Sequence, residues 1–253
     1  MGCDGCRDGA GLGFTIRAAF QPIVDLETGR VFAYEALVRG PDGQGAGWVL
    51  DQVDDSNRYA FDQACRVVAI KEAVAAGLLR TDAKLSINFL PNAVYSPQAC
   101  IRLTLATARE QDMPTSRLMF EFTETERLDA AHVRNIIESY RFCGFATAID
   151  DFGAGHAGLG LLADIQPDLL KLDMALIRDI DTSLPRRQIV AAIVRLARAM
   201  DIRLIAEGIE TSAELAALQL LGIRYAQGYL LGRPALGALP EPDPDLLVKS
   251  RAA

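Results

Sequence analysis

From residue 84 to residue 231 the sequence alternates short apolar runs with longer amphipathic segments, and this rhythm restricts the fold more than any single motif does. Strand-like runs cover 84–89, 118–122, 146–149, 169–172, 202–206 and 225–231. Helix-like segments lie between them: 96–110 behind a Ser-Pro start, 130–143 stopped by Gly144, a short 159–164, a strongly amphipathic 184–200, and 212–221 closed by Gly222. Such alternation predicts parallel strands buried on both faces, joined by right-handed crossovers. Upstream, the runs 14–24 and 31–37 flank a turn at 25–30, which predicts an antiparallel hairpin. Residues 41–47 read as a Gly/Pro loop, 57–76 as a helix ended by Gly77, and 239–253 as a short helix or tail. About seven or eight strand–helix units without an interior linker fit a TIM-like (β/α)8 barrel with an antiparallel first strand better than an open doubly wound sheet. No Walker lysine loop is present, which argues against a P-loop nucleotide-binding fold. The expected organisation is a flexible, Gly- and Cys-containing leader over 1–13 and one barrel domain over 14–253.

Composition removes several function classes. No apolar run is long enough to span a bilayer and no signal peptide opens the chain, so a cytoplasmic location is expected. A formal net charge of −7 argues against a general nucleic-acid binder, which would show a basic stripe. Of the five cysteines, Cys65, Cys100 and Cys143 fall in apolar helical patterns and read as small core residues. Cys3 and Cys6 supply half of a usual zinc ligand set, and no second pair completes it.

The polar residues at the strand ends carry the chemistry. Each strand ends in, or runs into, a group that a buried strand would not choose: Glu35, Asn88, Glu121, Asp150 with Asp151, Lys171, Glu207 and Gln227. Singly, each reads as a strand-end cap. In a barrel, however, the C-terminal strand ends converge on one rim, where active sites are assembled. Five carboxylate positions on one rim must bind protons or hold cations, because each like-charge pair at about 4 Å and an effective dielectric near 20 costs about 4 kcal/mol. Carboxylates with one amide oxygen, and no His or Cys, form a hard oxygen set suited to Mg²⁺ or Mn²⁺. Two such ions about 3.5–4 Å apart are the usual device for phosphodiester hydrolysis. Lys171 among these acids is expected as a pinned ammonium that orients the attacking water; its bland reading is a structural salt bridge. His132 reads as an exposed helical residue, and His156 as a rim residue within reach of substrate; neither reads as a ligand.

With these residues in hand, the chain resembles the EAL-domain cyclic di-GMP phosphodiesterases. Tyr34-Glu35-Ala36-Leu37-Val38-Arg39 carries the Glu-Ala-Leu signature, and the other blocks follow in order: Phe20-Gln21-Pro22-Ile23, Ile87-Asn88, Glu121-Phe122-Thr123-Glu124, Asp150-Asp151-Phe152-Gly153, Lys171-Leu172-Asp173, Ala206-Glu207-Gly208-Ile209-Glu210 and Gln227-Gly228-Tyr229. The resemblance spans residues 20–234. It implies conversion of cyclic di-GMP to linear pGpG with two Mg²⁺ or Mn²⁺ ions, and inhibition by Ca²⁺. It implies metal ligation by Glu35, Asn88, Glu121, Asp150, Asp151 and Glu207, with Asp150 bridging. Catalytic roles fall to Lys171, Glu207, Glu35 and Gln227, and substrate contacts to Gln21, Leu37, Arg39 and Pro234. Arg39 is the expected phosphate partner, since a guanidinium can fork onto two oxygens. Glu124 is expected to anchor the loop after Asp151. A homodimer is implied, with input from a separate sensory partner or from the leader; no nucleic-acid polymer and no membrane insertion is expected. The chain departs from the family's pattern at His156-Ala157-Gly158, where an aromatic and two serines are usual, at Phe89-Leu90 after Asn88, and over 41–57.

Two function classes stay open at this point: an active phosphodiesterase, and a catalytically weak or inactive cyclic di-GMP receptor or interaction module. The second typically lacks a motif acid or the lysine, and all of them are present here.

Overall fold

The structure, a computed structural model, describes residues 12–123, 129–154 and 159–243. Eight strands close into a barrel in the order β2-β3-β4-β5-β6-β7-β8-β1, with β1 pairing β2 to seal the ring. They are β1 (Arg17–Asp25), β2 (Arg30–Arg39), β3 (Lys84–Asn88), β4 (Leu118–Thr123), β5 (Ala146–Phe152), β6 (Leu169–Leu172), β7 (Arg203–Ala206) and β8 (Tyr225–Ala226). The chain from β2 to β8 is parallel, and β1 runs antiparallel to both of its neighbours, as the opening hairpin predicts. A two-residue β9 (Ala235–Leu236) pairs with β1 outside the ring. The helices are α1 (Ala46–Leu50), α2 (Arg58–Ala75), α3 (Pro97–Glu110), α4 (Ala130–Phe142), α5 (Leu159–Asp164), α6 (Met174–Ile177), α7 (Leu184–Ala199) and α8 (Ser212–Leu220).

The core has two layers. A large cluster joins the outward faces of the strands to the apolar faces of the helices, with Phe20, Phe120, Phe122 and Tyr140 among its fully enclosed side chains. A smaller cluster fills the barrel itself: Ile23, Ala33, Met119, Ala148, Leu169, Ile205 and Tyr225, one from each of seven strands. Side chains two apart in a strand share a face. This inner plug therefore sets which residues stand above it at the rim.

Three elements differ from these expectations. β5 continues through Asp151 to Phe152 instead of ending at residue 149, with a register irregularity between Ile149 and Phe152. The strand expected over 225–231 stops at Ala226, because Gly228 turns the chain against Ile209; a Cβ on Gly228 would lie 2.1 Å from the Ile209 carbonyl oxygen. α1 starts at the end of the loop expected over 41–47 and runs on to Leu50, whereas residues 239–243 have no regular structure, in keeping with a tail. His132 is half-buried rather than exposed, with a ring nitrogen 3.3 Å from the Pro91 carbonyl. Cys100 is buried and Cys65 and Cys143 partly so, in keeping with core roles, whereas Cys3, Cys6, Glu124 and His156-Ala157-Gly158 lie outside the described residues.

One interior feature has no apolar equivalent. Arg66 on α2 is fully enclosed, with Nη2 2.8 Å from Asp62 Oδ2 and Nη1 donating to the Tyr140 hydroxyl at 2.7 Å. Its guanidinium lies 5.2–5.8 Å from the ring centroids of Phe89, Phe120 and Tyr140. Asp62 Oδ1 in turn accepts from the Leu90 amide at 2.9 Å, tying α2 to the loop leaving β3.

Candidate metal centre

One step of two residues up each strand converts the apolar plug into the polar rim. Ala33 leads to Glu35, Met119 to Glu121, Ala148 to Asp150, Leu169 to Lys171, Ile205 to Glu207 and Tyr225 to Gln227. In β1, which runs the other way, Ile23 leads back to Gln21, and in β3 the buried Ser86 leads to Asn88. The side-chain period of two therefore delivers these groups to one end of the barrel.

Lys171 stands at the centre. Its ammonium lies 2.8 Å from Glu207, 3.0 Å from Asp150, 3.2 Å from Glu121 and 3.6 Å from Glu35. Burial works against its charge, but Asp150, Glu121, Glu207 and Glu35 outweigh that and hold it well above the usual lysine range. Asn88 donates to Glu121 at 3.0 Å and to Glu35 at 3.3 Å. Gln227 donates to Glu35 at 2.5 Å and to Gln21 at 3.2 Å, and Gln21 itself donates to the Gly232 carbonyl at 3.0 Å. Ser86, which the sequence reading did not single out, donates to Glu121 at 2.5 Å.

Asp150 and Asp151 are neighbours in a strand, so alternation would send them to opposite faces. Asp151 instead adopts φ 56, within the register irregularity of β5. Its carboxylate thereby reaches within 4.8 Å of oxygens from Asp150 and Glu207. A second set, Glu35, Glu121 and Asp150, is equally tight. Asp150 belongs to both.

The charge balance is unequal, with four carboxylates facing one ammonium. Burial drives Glu121 and Glu207 well above the usual carboxylate range in spite of Lys171, whereas Glu35 is held below it because Lys171 and its hydrogen bonds outweigh burial. Burial, then the charges of Asp150 and Asp173, push Asp151 up to about 6. Acids pushed toward their protonated form for want of a counter-charge are poised to exchange that proton for a cation. Gln227 Oε1 is buried without a donor, which leaves one more hard oxygen unsatisfied at the rim. The donor set is all oxygen, so it fits Mg²⁺ or Mn²⁺ rather than a thiophilic ion.

A cavity of about 310 Å³ opens over this rim, lined by Gln21, Glu35, Asp150, Asp151, Lys171, Glu207 and Gln227. It is also lined by Asp173, Met174, Glu210 and Tyr229, to which the sequence reading gave no role. Asp173 lies two residues past Lys171, so the strand period already pointed at it; the half-exposed Met174 and Tyr229 left no pattern to find. Leu37 lines a separate, more apolar cavity of about 270 Å³ that Asn88 also borders. The Arg39 guanidinium donates to the Val38 carbonyl at 2.8 Å, and Pro234 sits partly exposed before β9; neither lines the acidic cavity. Among the described residues, no helix is long and apolar enough to cross a membrane.

Comparison with known proteins agrees with this geometry. The EAL domain family profile matches residues 13–234. A standalone versatile EAL protein from Vibrio cholerae O395, solved in its c-di-GMP bound form, superposes with a TM-score of 0.89 at 46% identity, covering 92% of this chain and 98% of that one. The blue light- and temperature-regulated antirepressor BluF of Escherichia coli is 32% identical over 225 residues, 88% of this chain and 55% of BluF. A cyclic di-GMP phosphodiesterase of Pseudomonas aeruginosa is 31% identical over 228 residues, 86% of this chain and 38% of the relative. The chain thus spans about half or less of the length of these two relatives. By the match over its barrel, this chain belongs to the EAL domain family.

Proposed function

We propose that the chain hydrolyses cyclic di-GMP to linear pGpG with two divalent ions, Mg²⁺ or Mn²⁺, held by Glu35, Asn88, Glu121, Asp150, Asp151 and Glu207. The observation that carries this reading is the pair of three-carboxylate sets sharing Asp150 beside a buried ammonium. When bound, the ions supply a nucleophile at neutral pH and neutralise charge on the phosphoryl oxygens. The chain's own groups do the rest. Lys171, fully charged, donates hydrogen bonds that orient the attacking water and the phosphoryl oxygen. Glu207 accepts the proton released as the water oxygen bonds to phosphorus, and the 3′ oxygen leaves with the electron pair of the breaking P–O bond and takes a proton from solvent to become the 3′-hydroxyl of pGpG. Gln227 and Asn88 fix the Glu35 carboxylate through the bonds described above. Gln21, Leu37, Arg39 and Pro234 meet the dinucleotide around the rim, with Arg39 turning from the Val38 carbonyl to a phosphate. Glu124 anchors the loop after Asp151. A cytoplasmic homodimer receiving its input from a separate sensory partner completes the proposal.

The test is chromatography of cyclic di-GMP incubated with the purified full chain and each metal in turn. We expect pGpG with Mg²⁺ or Mn²⁺, none with EDTA, and suppression by Ca²⁺, whose larger and looser coordination shell disturbs a site for small ions. The likeness to BluF, named as an antirepressor, favours a second reading: a cyclic di-GMP-responsive interaction module. Tight binding of cyclic di-GMP without pGpG under every metal condition would select it.

A further inference from the structure

The barrel carries opposite charge at its two ends. One further step down the inward-facing rows, below the apolar plug, lie Lys84 in β3, Arg203 in β7 and Arg117 just before β4. Burial, then Arg203 and Arg117, lower the Lys84 ammonium below the usual lysine range, so the cations at this end repel one another. Lys84 and Arg117 direct their charges to backbone carbonyls, of Ser116 and of Ala83 and Leu78. Arg203 is different: its guanidinium lies 5.8 Å from the centre of the Phe32 ring, and it has no ion pair among the described residues.

Beside it a cleft of about 200 Å³ lies between the end of α7 and the starts of β7 and β8. Arg198, Arg203 and Arg224 all line it. Arg224 is held at the edge by Asp25 and Glu27, at 2.7 and 2.9 Å. Arg198, like Arg203, has no ion pair among the described residues. It is not consumed in capping α7, because the amides of Met200, Asp201 and Ile202 satisfy the last carbonyls. Its guanidinium rests on Gly222, at φ +84, where a Cβ would lie 2.4 Å from Nη2. Of the other acids at this end, Asp168 accepts from Thr147 and lies 3.7 Å from Arg141, and Asp82 acts on Arg117. Two uncommitted guanidinium groups on one cleft, in a chain of net charge −7, lack an anion.

We propose that this cleft binds a phosphate group, with Arg198 and Arg203 as its ligating cations and Arg224 at its border. The cleft is too small for a whole cyclic dinucleotide but has room for a phosphoryl group and part of what it is attached to. Paired guanidinium forks match that geometry. The phosphate can come from free inorganic anions or from a nucleotide's 5′-phosphate, and it binds on the barrel end opposite the carboxylate rim.

The experiment is isothermal titration of the full chain in EDTA, where the acidic rim has no metal to attract anions. Pyrophosphate, guanosine monophosphate and guanosine are titrated separately. Saturable binding is expected for the two phosphates and none for guanosine, weakening as salt is raised. Tighter guanosine monophosphate assigns the nucleotide source; tighter pyrophosphate assigns the free anion. Arg198→Gln with Arg203→Gln should weaken binding at least about tenfold, the ratio set by losing charge-assisted hydrogen bonds. Arg109→Gln, an exposed position on α3, should leave it unchanged. Absence of saturation, an unaffected double variant, or an equal loss in Arg109→Gln would each overturn the proposal.

Discussion

Replacing Lys171 with methionine isolates the charge balance on which the rim depends. Its ammonium contacts four carboxylates at 2.8–3.6 Å. At an effective dielectric near 20, each contact is worth about 5 kcal/mol before desolvation. Desolvation of the five groups offsets most of that sum, and truncating one partner of such a buried set costs about 3–5 kcal/mol. The pH dependence gives the sign. In the native chain Glu35 is held below the usual range, so its contribution is present above the unfolded carboxylate value and fades as pH falls through the folded one. Without the ammonium, burial and the remaining acids all push upward; the rim then takes up protons in acid, and its penalty grows as pH rises. Urea unfolding in EDTA should therefore show Lys171→Met less stable than the native chain by about 3–5 kcal/mol at pH 8, and by less at pH 5. Mn²⁺ should restore part of the difference. Turnover of cyclic di-GMP should fall by orders of magnitude while affinity stays largely intact. A gap below about 1 kcal/mol at pH 8, or one that widens toward acid, would refute the charge argument; turnover within tenfold of native would remove Lys171 from the chemistry.

Asp151, pushed up to about 6, adds to the protons an ion must displace from the raised Glu121 and Glu207, so below that value Mn²⁺ affinity should fall at least about tenfold per pH unit. In the metal-free chain the same raised carboxyl favours folding in acid and loses that contribution as pH rises through 6, a small effect because the side chain is partly solvated. Electron paramagnetic resonance titration of Mn²⁺ from pH 5 to 8 checks this, and an affinity flat across that window would contradict it. Arg66→Met leaves Asp62 buried without its cation and should destabilise the fold by about 3–5 kcal/mol in urea unfolding. Adding Asp62→Asn, which keeps an acceptor for the Leu90 amide, should recover most of that loss, and a double variant weaker than Arg66→Met alone would show that the ion pair is not the source.

The parts of this molecule that were legible in its sequence are those governed by a period. Strand–helix alternation announced the barrel, and a polar residue two places past each apolar one announced the rim, because both follow from where successive side chains point. Asp151, named as a rim acid beside Asp150, reaches the site by a left-handed backbone at the irregularity of β5 and not by strand alternation, and Asp is one of the few side chains to tolerate it. Arg66 was hidden. It occupies a helix position whose period calls for an apolar residue, and only the three rings and Asp62, contributed by distant segments, make a cation acceptable there. The end of β8 was misread because the apolar residues after Gln227 continue a strand-like pattern, while the close approach of Gly228 to Ile209 is a tertiary constraint with no local trace. The basic end escaped notice on similar grounds, since an arginine at the start of a strand reads as a solvated terminus. What distinguishes Arg203 is its company: it stands on the same inward row as Ile205 and Glu207, so one strand carries a cation, an apolar plug residue and an acid in order along its axis. The charge reversal from one mouth of the barrel to the other is thus a consequence of the same two-residue period that builds the metal centre.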